Sequence, residues 1–147
     1  MKSTLFLRLA SALTFLHAVL HTVGGVFGKP APGAAQAAML AMQTSRFHVM
    51  GVTRTYADFL LGSGLAISIL LLVESIVFWQ LGTLSKTDAP GLRPILAAFL
   101  AGYLALAVNS YQLFFAAPVI AELVIALCLG LAIVTSKPAV STGPVRP

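Results

Sequence analysis

Residues 118–135 read PVIAELVIALCLGLAIVT, a run of eighteen residues with one charged side chain, Glu122. As a helix this run is about 27 Å long at about 1.5 Å per residue, close to the roughly 30 Å hydrocarbon core of a bilayer. Three more apolar stretches of comparable length precede it, at residues 5–26, 59–81 and 94–115. Because a backbone in lipid must satisfy its own hydrogen bonds, and no alternating barrel pattern occurs, each stretch is predicted to be a transmembrane helix.

The composition indicates the same class of protein. Of the 147 residues, 59% are hydrophobic and 9% are charged, whereas a soluble domain is about half apolar and a quarter charged. The net charge is +5, and in a membrane protein such an excess reports orientation and contact with anionic lipid. No basic run interleaved with aromatic residues occurs. Membrane lipid is therefore the expected partner, and nucleic acid is not.

These spans predict an all-α membrane fold, a four-transmembrane-helix antiparallel bundle forming one domain over residues 1–136. The last two spans are joined by a few residues only, which is typical of an antiparallel helical hairpin. Between the first two spans, residues 33–48 are rich in strong helix formers. They predict a short amphipathic helix at the outer interface, with an ordinary packed connector as the alternative. The Pro-, Ser- and Thr-rich tail, residues 137–147, is predicted to be disordered.

The basic residues predict the orientation. If both termini lie on one side, that side carries six of the nine basic residues. Because Lys and Arg accumulate in cytoplasmic loops, we expect cytoplasmic N- and C-termini in the cell (inner) membrane. The six are Lys2, Arg8, Lys86, Arg93, Lys137 and Arg146, against Lys29, Arg46 and Arg54 on the opposite side.

Polar side chains recur inside the spans at helical spacing. His17 and His21 lie one turn apart on a stripe of the first helix that continues into glycines. An ionisable side chain at bilayer depth costs about 2.5–3.5 kcal/mol unless it is paired or hydrated. Several at one depth therefore predict a hydrogen-bonded pocket in the outer half of the bundle. The candidate pocket residues are His17, His21, Asp58, Asn109, Gln112 and Glu122.

Each candidate has a structural alternative. Asp58 ends a Thr-x-x-Asp capping pattern and on that interpretation only begins the second span. The two amides would tie helices together, the histidines would only pack between helices, and Glu122 would be favoured in an early turn of its helix by the helix dipole. The His17–His21 spacing is that of a helical zinc motif, but Ala18 stands in place of its glutamate and no third ligand is specified, so no metal or cofactor is predicted.

Two residues of the inner half form a separate pair. Glu74 lies about two turns from the cytoplasmic end of the second span, and Arg8 begins the first span at a similar level. We expect Glu74 to be structural and paired with Arg8, which is long enough to reach the interface. Trp79, near the same boundary, is typical of an interfacial anchor.

Longer stretches of the chain resemble a known group of membrane proteins. These are LRLASALTFLHAVLHTVGGVFGKP (7–30), RFHVMGVTRTYADFLLGSGL (46–65) and FWQLG (78–82). They resemble an uncharacterised bacterial family of small four-helix integral membrane proteins, and more loosely the chain is similar to DoxX-like proteins. The resemblance implies a bacterial cytoplasmic-membrane protein of the four-helix type, and it carries over no active site.

The sequence leaves three functions open. The first is a protein that binds a small amphiphilic molecule in the polar pocket, or an enzyme that acts on it with a His/Glu acid–base pair. The second is an accessory or structural subunit of a larger membrane complex, or a homo-oligomer, since very little mass lies outside the spans. The third and weakest is a proton or ion pathway, because no continuous polar track joins Glu74 to Glu122.

Overall fold

A computed structural model describes residues 2–136, so the tail that we predict to be disordered, residues 137–147, lies outside the described residues. The described chain contains five α-helices, one π-helical segment and a two-stranded antiparallel hairpin. In chain order they are α1 (Lys2–Leu20), the π-helical segment (His21–Val26), α2 (Ala34–Thr44), β1 (Arg46–Val49), β2 (Val52–Thr55), α3 (Tyr56–Asp88), α4 (Arg93–Leu113) and α5 (Ala116–Thr135).

Four helices are long and apolar enough to cross a membrane, which confirms the four predicted spans and a multi-pass membrane protein. They are Lys2–Val26, which includes the π-helical segment, Tyr56–Asp88, Arg93–Leu113 and Ala116–Thr135. The second has 33 residues, because its helix continues past residue 81 into the polar sequence GTLSKTD. Hydropathy marks only the apolar part of such a helix.

The connector between the first two spans is partly strand. The predicted helix over 33–48 is right for Ala34–Thr44 but wrong for its last residues, and the fold is not strictly all-α, because Arg46–Val49 pairs with Val52–Thr55. Met50 and Gly51 form the turn with φ angles of 49° and 82°. Two positive φ angles at the centre of a two-residue loop match the twist of paired strands, so this turn closes a hairpin.

The described residues divide into two compact units, one of residues 2–15 with 73–136 (the first unit) and one of residues 16–72 (the second unit). In the first unit, α4 and α5 form the predicted antiparallel hairpin. Arg93, which begins α4, donates to the carbonyl of Ser136 just after α5. At the opposite ends of these helices, Ser110 donates to Glu122.

A reciprocal serine pair joins α1 to α3 within the first unit. Ser11 Oγ donates to the Ser75 carbonyl at 2.7 Å, and Ser75 Oγ donates to the Ser11 carbonyl at 3.0 Å. Each buried hydroxyl therefore satisfies the other helix's backbone, and such small residues let two helices approach closely. Nearer the helix ends, Thr4 Oγ1 lies 2.9 Å from Ser85 Oγ. Because the earlier residue of α1 meets the later residue of α3, the two segments run antiparallel.

The second unit uses the same kind of contact. Thr22 Oγ1 lies 2.9 Å from Ser68 Oγ, and Ser68 donates to the Gly64 carbonyl at 3.1 Å. A Cβ at Gly64 would lie only 3.0 Å from Val26 Cγ2. Glycine at position 64 therefore permits this close approach.

We predict that Ser75→Ala destabilises the protein by about 0.6–1.7 kcal/mol, the range measured for hydrogen bonds between helices in membranes. The loss follows because the Ser11 carbonyl and hydroxyl each lose a contact. Unfolding in sodium dodecyl sulphate, followed by circular dichroism, measures it. Ser63→Ala on the same helix is the control, because Ser63 is exposed; equal stability of the two variants would contradict the role of the serine pair.

Candidate functional site

The six predicted pocket residues fall in both units. His17, His21 and Asp58 belong to the second unit, and Asn109, Gln112 and Glu122 belong to the first. The convergence of the six stays a prediction.

Asp58 forms a capping box with Thr55. The Thr55 backbone N–H donates to Asp58 Oδ2 at 2.9 Å, and the Asp58 N–H donates to Thr55 Oγ1 at 3.0 Å. Two backbone donors that the helix cannot use are thereby satisfied at the start of α3. The capping interpretation of Asp58 is confirmed.

The histidines are held differently from each other. His21 Nε2 lies 3.2 Å from the Gly64 carbonyl, which can only accept, so Nε2 is assigned the proton and Nδ1 keeps its lone pair when the ring is neutral. His17 Nδ1 is buried and has no hydrogen-bond partner among residues 2–136. His21 also begins the π-helical segment, a deviation that is frequent at functional sites.

Glu122 is 5% exposed and is bound by Ser110, whose Oγ donates to Oε1 at 2.9 Å. Its second oxygen, Oε2, is buried without a partner in the described part of the chain. Asn109 and Gln112 are exposed, so the α4 residue that binds Glu122 is Ser110, which sequence reasoning missed. The sequence feature that could have indicated Ser110 is its helical spacing from Ala107 and Tyr103, because the three residues share the buried face of α4.

A second carboxyl site, also missed, joins α3 to α4 in the first unit. Tyr103 is 2% exposed, and its hydroxyl donates to Glu74 Oε2 at 2.6 Å. The Thr14 hydroxyl lies 3.4 Å from the same phenol oxygen, but it donates to the Ala10 carbonyl at 2.9 Å. Glu74 Oε1 accepts no hydrogen bond from residues 2–136.

The expected Arg8–Glu74 pair is wrong. The Arg8 guanidinium instead lies 3.4 Å from the centre of the Trp79 ring, and its Nη2 donates to Thr83 at 2.9 Å. The register of α1 on α3 explains the difference. Because Ser11 lies opposite Ser75, Arg8 faces a turn of α3 nearer the helix end than Glu74.

Glu74 and Tyr103 line a groove of about 360 Å³ along α4, here called the α4 groove. Six of its seven lining residues lie on one face of α4. The lining residues are Glu74, Ile95, Ala98, Phe99, Gly102, Tyr103 and Leu106. A Cβ added at Gly102 would meet no atom within 4 Å, so the absence of a side chain there leaves the groove open.

Comparisons with known proteins give no functional template. No family model matches the chain, and comparisons with curated proteins and with solved structures return no match. Among residues 2–136, no three His, Cys, Asp or Glu side chains are grouped so that they could hold a metal ion. A functional proposal therefore depends on the geometry of the polar residues themselves.

We predict that Ser110→Ala destabilises the protein by about 1–3 kcal/mol, because it leaves a buried carboxyl without its donor. Detergent unfolding measures the loss. Asn109→Ala is the matched control on the neighbouring position, where an exposed side chain is expected to contribute less than about 0.5 kcal/mol. A larger effect at Asn109 than at Ser110 would contradict the assignment.

We predict that Asp58→Ala destabilises the first turn of α3, because the Thr55 backbone N–H loses its acceptor in the capping box. Faster amide hydrogen exchange confined to the first turn of α3 would report it. Asp58→Asn retains a side-chain oxygen that can accept from Thr55, so we expect a smaller effect. Equal exchange in the wild-type protein and in Asp58→Ala would show that the box does not stabilise this helix end.

Proposed function

We propose that this chain is a protein of the cell membrane that binds a small amphiphilic molecule in the α4 groove. The observation that carries the proposal is Glu74, a carboxyl with one oxygen held by Tyr103 and the other without a partner among the described residues, in a groove otherwise lined by apolar groups. A ligand with a polar head and an apolar tail matches this combination.

The depth of the carboxyl supports the proposal. The 21 residues of α4 extend about 31 Å, and Tyr103 lies at the middle of that length. An ionisable group at the centre of a bilayer is expensive and is typical of a functional site. A bound polar head would complete the hydrogen bonding of Glu74, while its tail would lie along exposed side chains such as Ile95 and Leu106.

The groove volume indicates how much of a ligand the groove could hold. Sites for small molecules enclose about 300–1,000 Å³, and the α4 groove, at about 360 Å³, is near the lower bound. We therefore expect a single short chain or a compact ring system rather than a whole two-chain lipid.

The proposal includes an antiparallel bundle of the four spans with both termini cytoplasmic, as in small bacterial four-helix or DoxX-like proteins. The antiparallel α4–α5 hairpin and the antiparallel α1–α3 contacts within the first unit support it. The excess of basic residues on the side of the termini supports the orientation.

We also propose that the connector between the first two spans lies at the outer interface. Phe47 packs against Tyr56 and Phe59, with ring centres 5.1 and 6.2 Å apart, where α3 begins. Aromatic residues concentrate at this level of a membrane. On this proposal α2 lies along the interface as an amphipathic helix.

We predict that Gly102→Leu abolishes saturable binding of amphiphiles, because the new side chain enters the open space of the groove. Binding is measured by equilibrium dialysis of radiolabelled octylamine, octanol and octanoate against the protein in lipid nanodiscs. Empty nanodiscs provide the correction for partition into lipid.

Gly130→Leu is the matched control, because a Cβ at Gly130 also meets nothing within 4 Å and the residue is outside the groove. We expect this variant to bind as the wild type does. Absence of saturable binding for all three probes, or unchanged binding by Gly102→Leu, would overturn the proposed function.

A further inference from the structure

We infer that the ligand of the α4 groove is a membrane-soluble amine, whose ammonium group is bound by the free oxygen of Glu74. This inference rests on the proposed function and adds the chemical class of the ligand. Three observations within the first unit support it: the missing counter-ion of Glu74, the count of hydroxyl protons at the polar end of the groove, and the aromatic lining.

The carboxyl of Glu74 has a hydrogen-bond donor but no counter-ion in residues 2–136. Tyr103 supplies a proton through a neutral hydroxyl, which contributes no positive charge. Arg8, the basic residue expected to pair with it, is held by Trp79 and Thr83. A ligand that brings one positive charge would neutralise a half-buried carboxylate within a membrane span, where an unpaired charge is costly.

The hydroxyl protons at this site are already used. The Tyr103 proton goes to Glu74, and the Thr14 proton goes to the Ala10 carbonyl. Each hydroxyl carries one proton, so neither is left with a donor for the ligand. The polar end of the groove therefore presents only acceptors: Glu74 Oε1 and lone pairs of the Tyr103 oxygen.

A surface made of acceptors selects among polar heads. A carboxylate or phosphate head offers acceptors only and would be repelled by Glu74, whereas an ammonium group offers three donors and no acceptor. An alcohol can donate one hydrogen bond, but it brings no charge. Charge-assisted hydrogen bonds are roughly twice as strong as neutral ones, so the amine is expected to bind more tightly than the alcohol.

The remaining lining suits such a ligand. Phe99, which is half-buried, contributes an aromatic side chain to the lining of the groove, and aromatic rings attract ammonium groups that lie over their faces. The other lining residues are aliphatic or glycine, apart from Glu74 itself. An alkyl or aryl tail can therefore occupy the groove without burying a further polar group.

The test ranks three probes with equal chains, octylamine, octanol and octanoate, in neutral-lipid nanodiscs, on the wild-type protein and on Glu74→Gln. We expect octylamine to bind the wild type at least tenfold more tightly than octanol, and octanoate to show no saturable binding. In Glu74→Gln, octylamine affinity should fall at least tenfold, to the level of octanol on the same variant.

The outcomes separate the two proposals. If octanol or octanoate binds as tightly as octylamine and Gly102→Leu still blocks binding, the amine inference is overturned and the proposed function stands. If no probe binds saturably, both fail. An amine preference that survives unchanged in Glu74→Gln also overturns the inference. Circular dichroism and gel filtration verify folding, and if Glu74→Gln is unfolded, the ranking of the three probes on the wild type decides.

Discussion

The hydrogen bond from Tyr103 to Glu74 is the interaction on which the proposed site depends. It fixes one carboxyl oxygen at 2.6 Å from the phenol and consumes the only proton that the phenol can donate. In a low-dielectric interior such a bond is stronger than in water. The free oxygen of Glu74 is therefore the polar group of the groove that we propose binds the ligand.

The position of Glu74 is in turn fixed by contacts between α1 and α3 in the first unit. The Ser11–Ser75 pair holds the two backbones in register. In that register Arg8 lies on Trp79, and the carboxyl one turn away is left to Tyr103.

Glu122 provides an instructive comparison, because it too is a carboxyl bound by one hydroxyl group. Its free oxygen is buried, whereas Glu74 lines an open groove. Glu122 is therefore a contact between α4 and α5, whereas Glu74 is the carboxyl for which we propose a ligand. The two glutamates have similar hydrogen bonds, but only Glu74 has open space beside its carboxyl group.

The sequence was sufficient for features that depend on local chemistry. The four spans follow from hydropathy, and the capping box at Thr55 and Asp58 follows from a four-residue pattern. The hairpin of β1 and β2 was missed because Met50, in its turn, has a left-handed backbone conformation that Asn or Asp adopts more often. A helix-forming stretch just before it made continued helix the simpler expectation.

The partners of the carboxyls could not be read from the sequence for a different reason. Hydropathy gives the depth of Glu74 and Glu122 but not the rotation of each helix about its axis. Asn109 and Gln112 are more polar than Ser110, yet they lie on the exposed face of α4. Tyrosine is typical of the membrane interface, but Tyr103 lies at the middle of its helix. Which residues meet depends on how each pair of helices packs together, and one helix sequence alone does not determine that packing.

The most direct test of the site is a distance measured by solid-state NMR. Glutamate labelled with ¹³C at the carboxyl carbon, in the Glu122→Gln variant, leaves Glu74 as the one labelled glutamate in the chain. With ¹⁵N-octylamine in the bilayer, the account predicts dipolar dephasing of the Glu74 carboxyl signal that corresponds to a carbon–nitrogen distance of about 3–4 Å, as in an ion pair. Dephasing that is absent at saturating amine, or that persists when Gly102→Leu fills the groove, would contradict it.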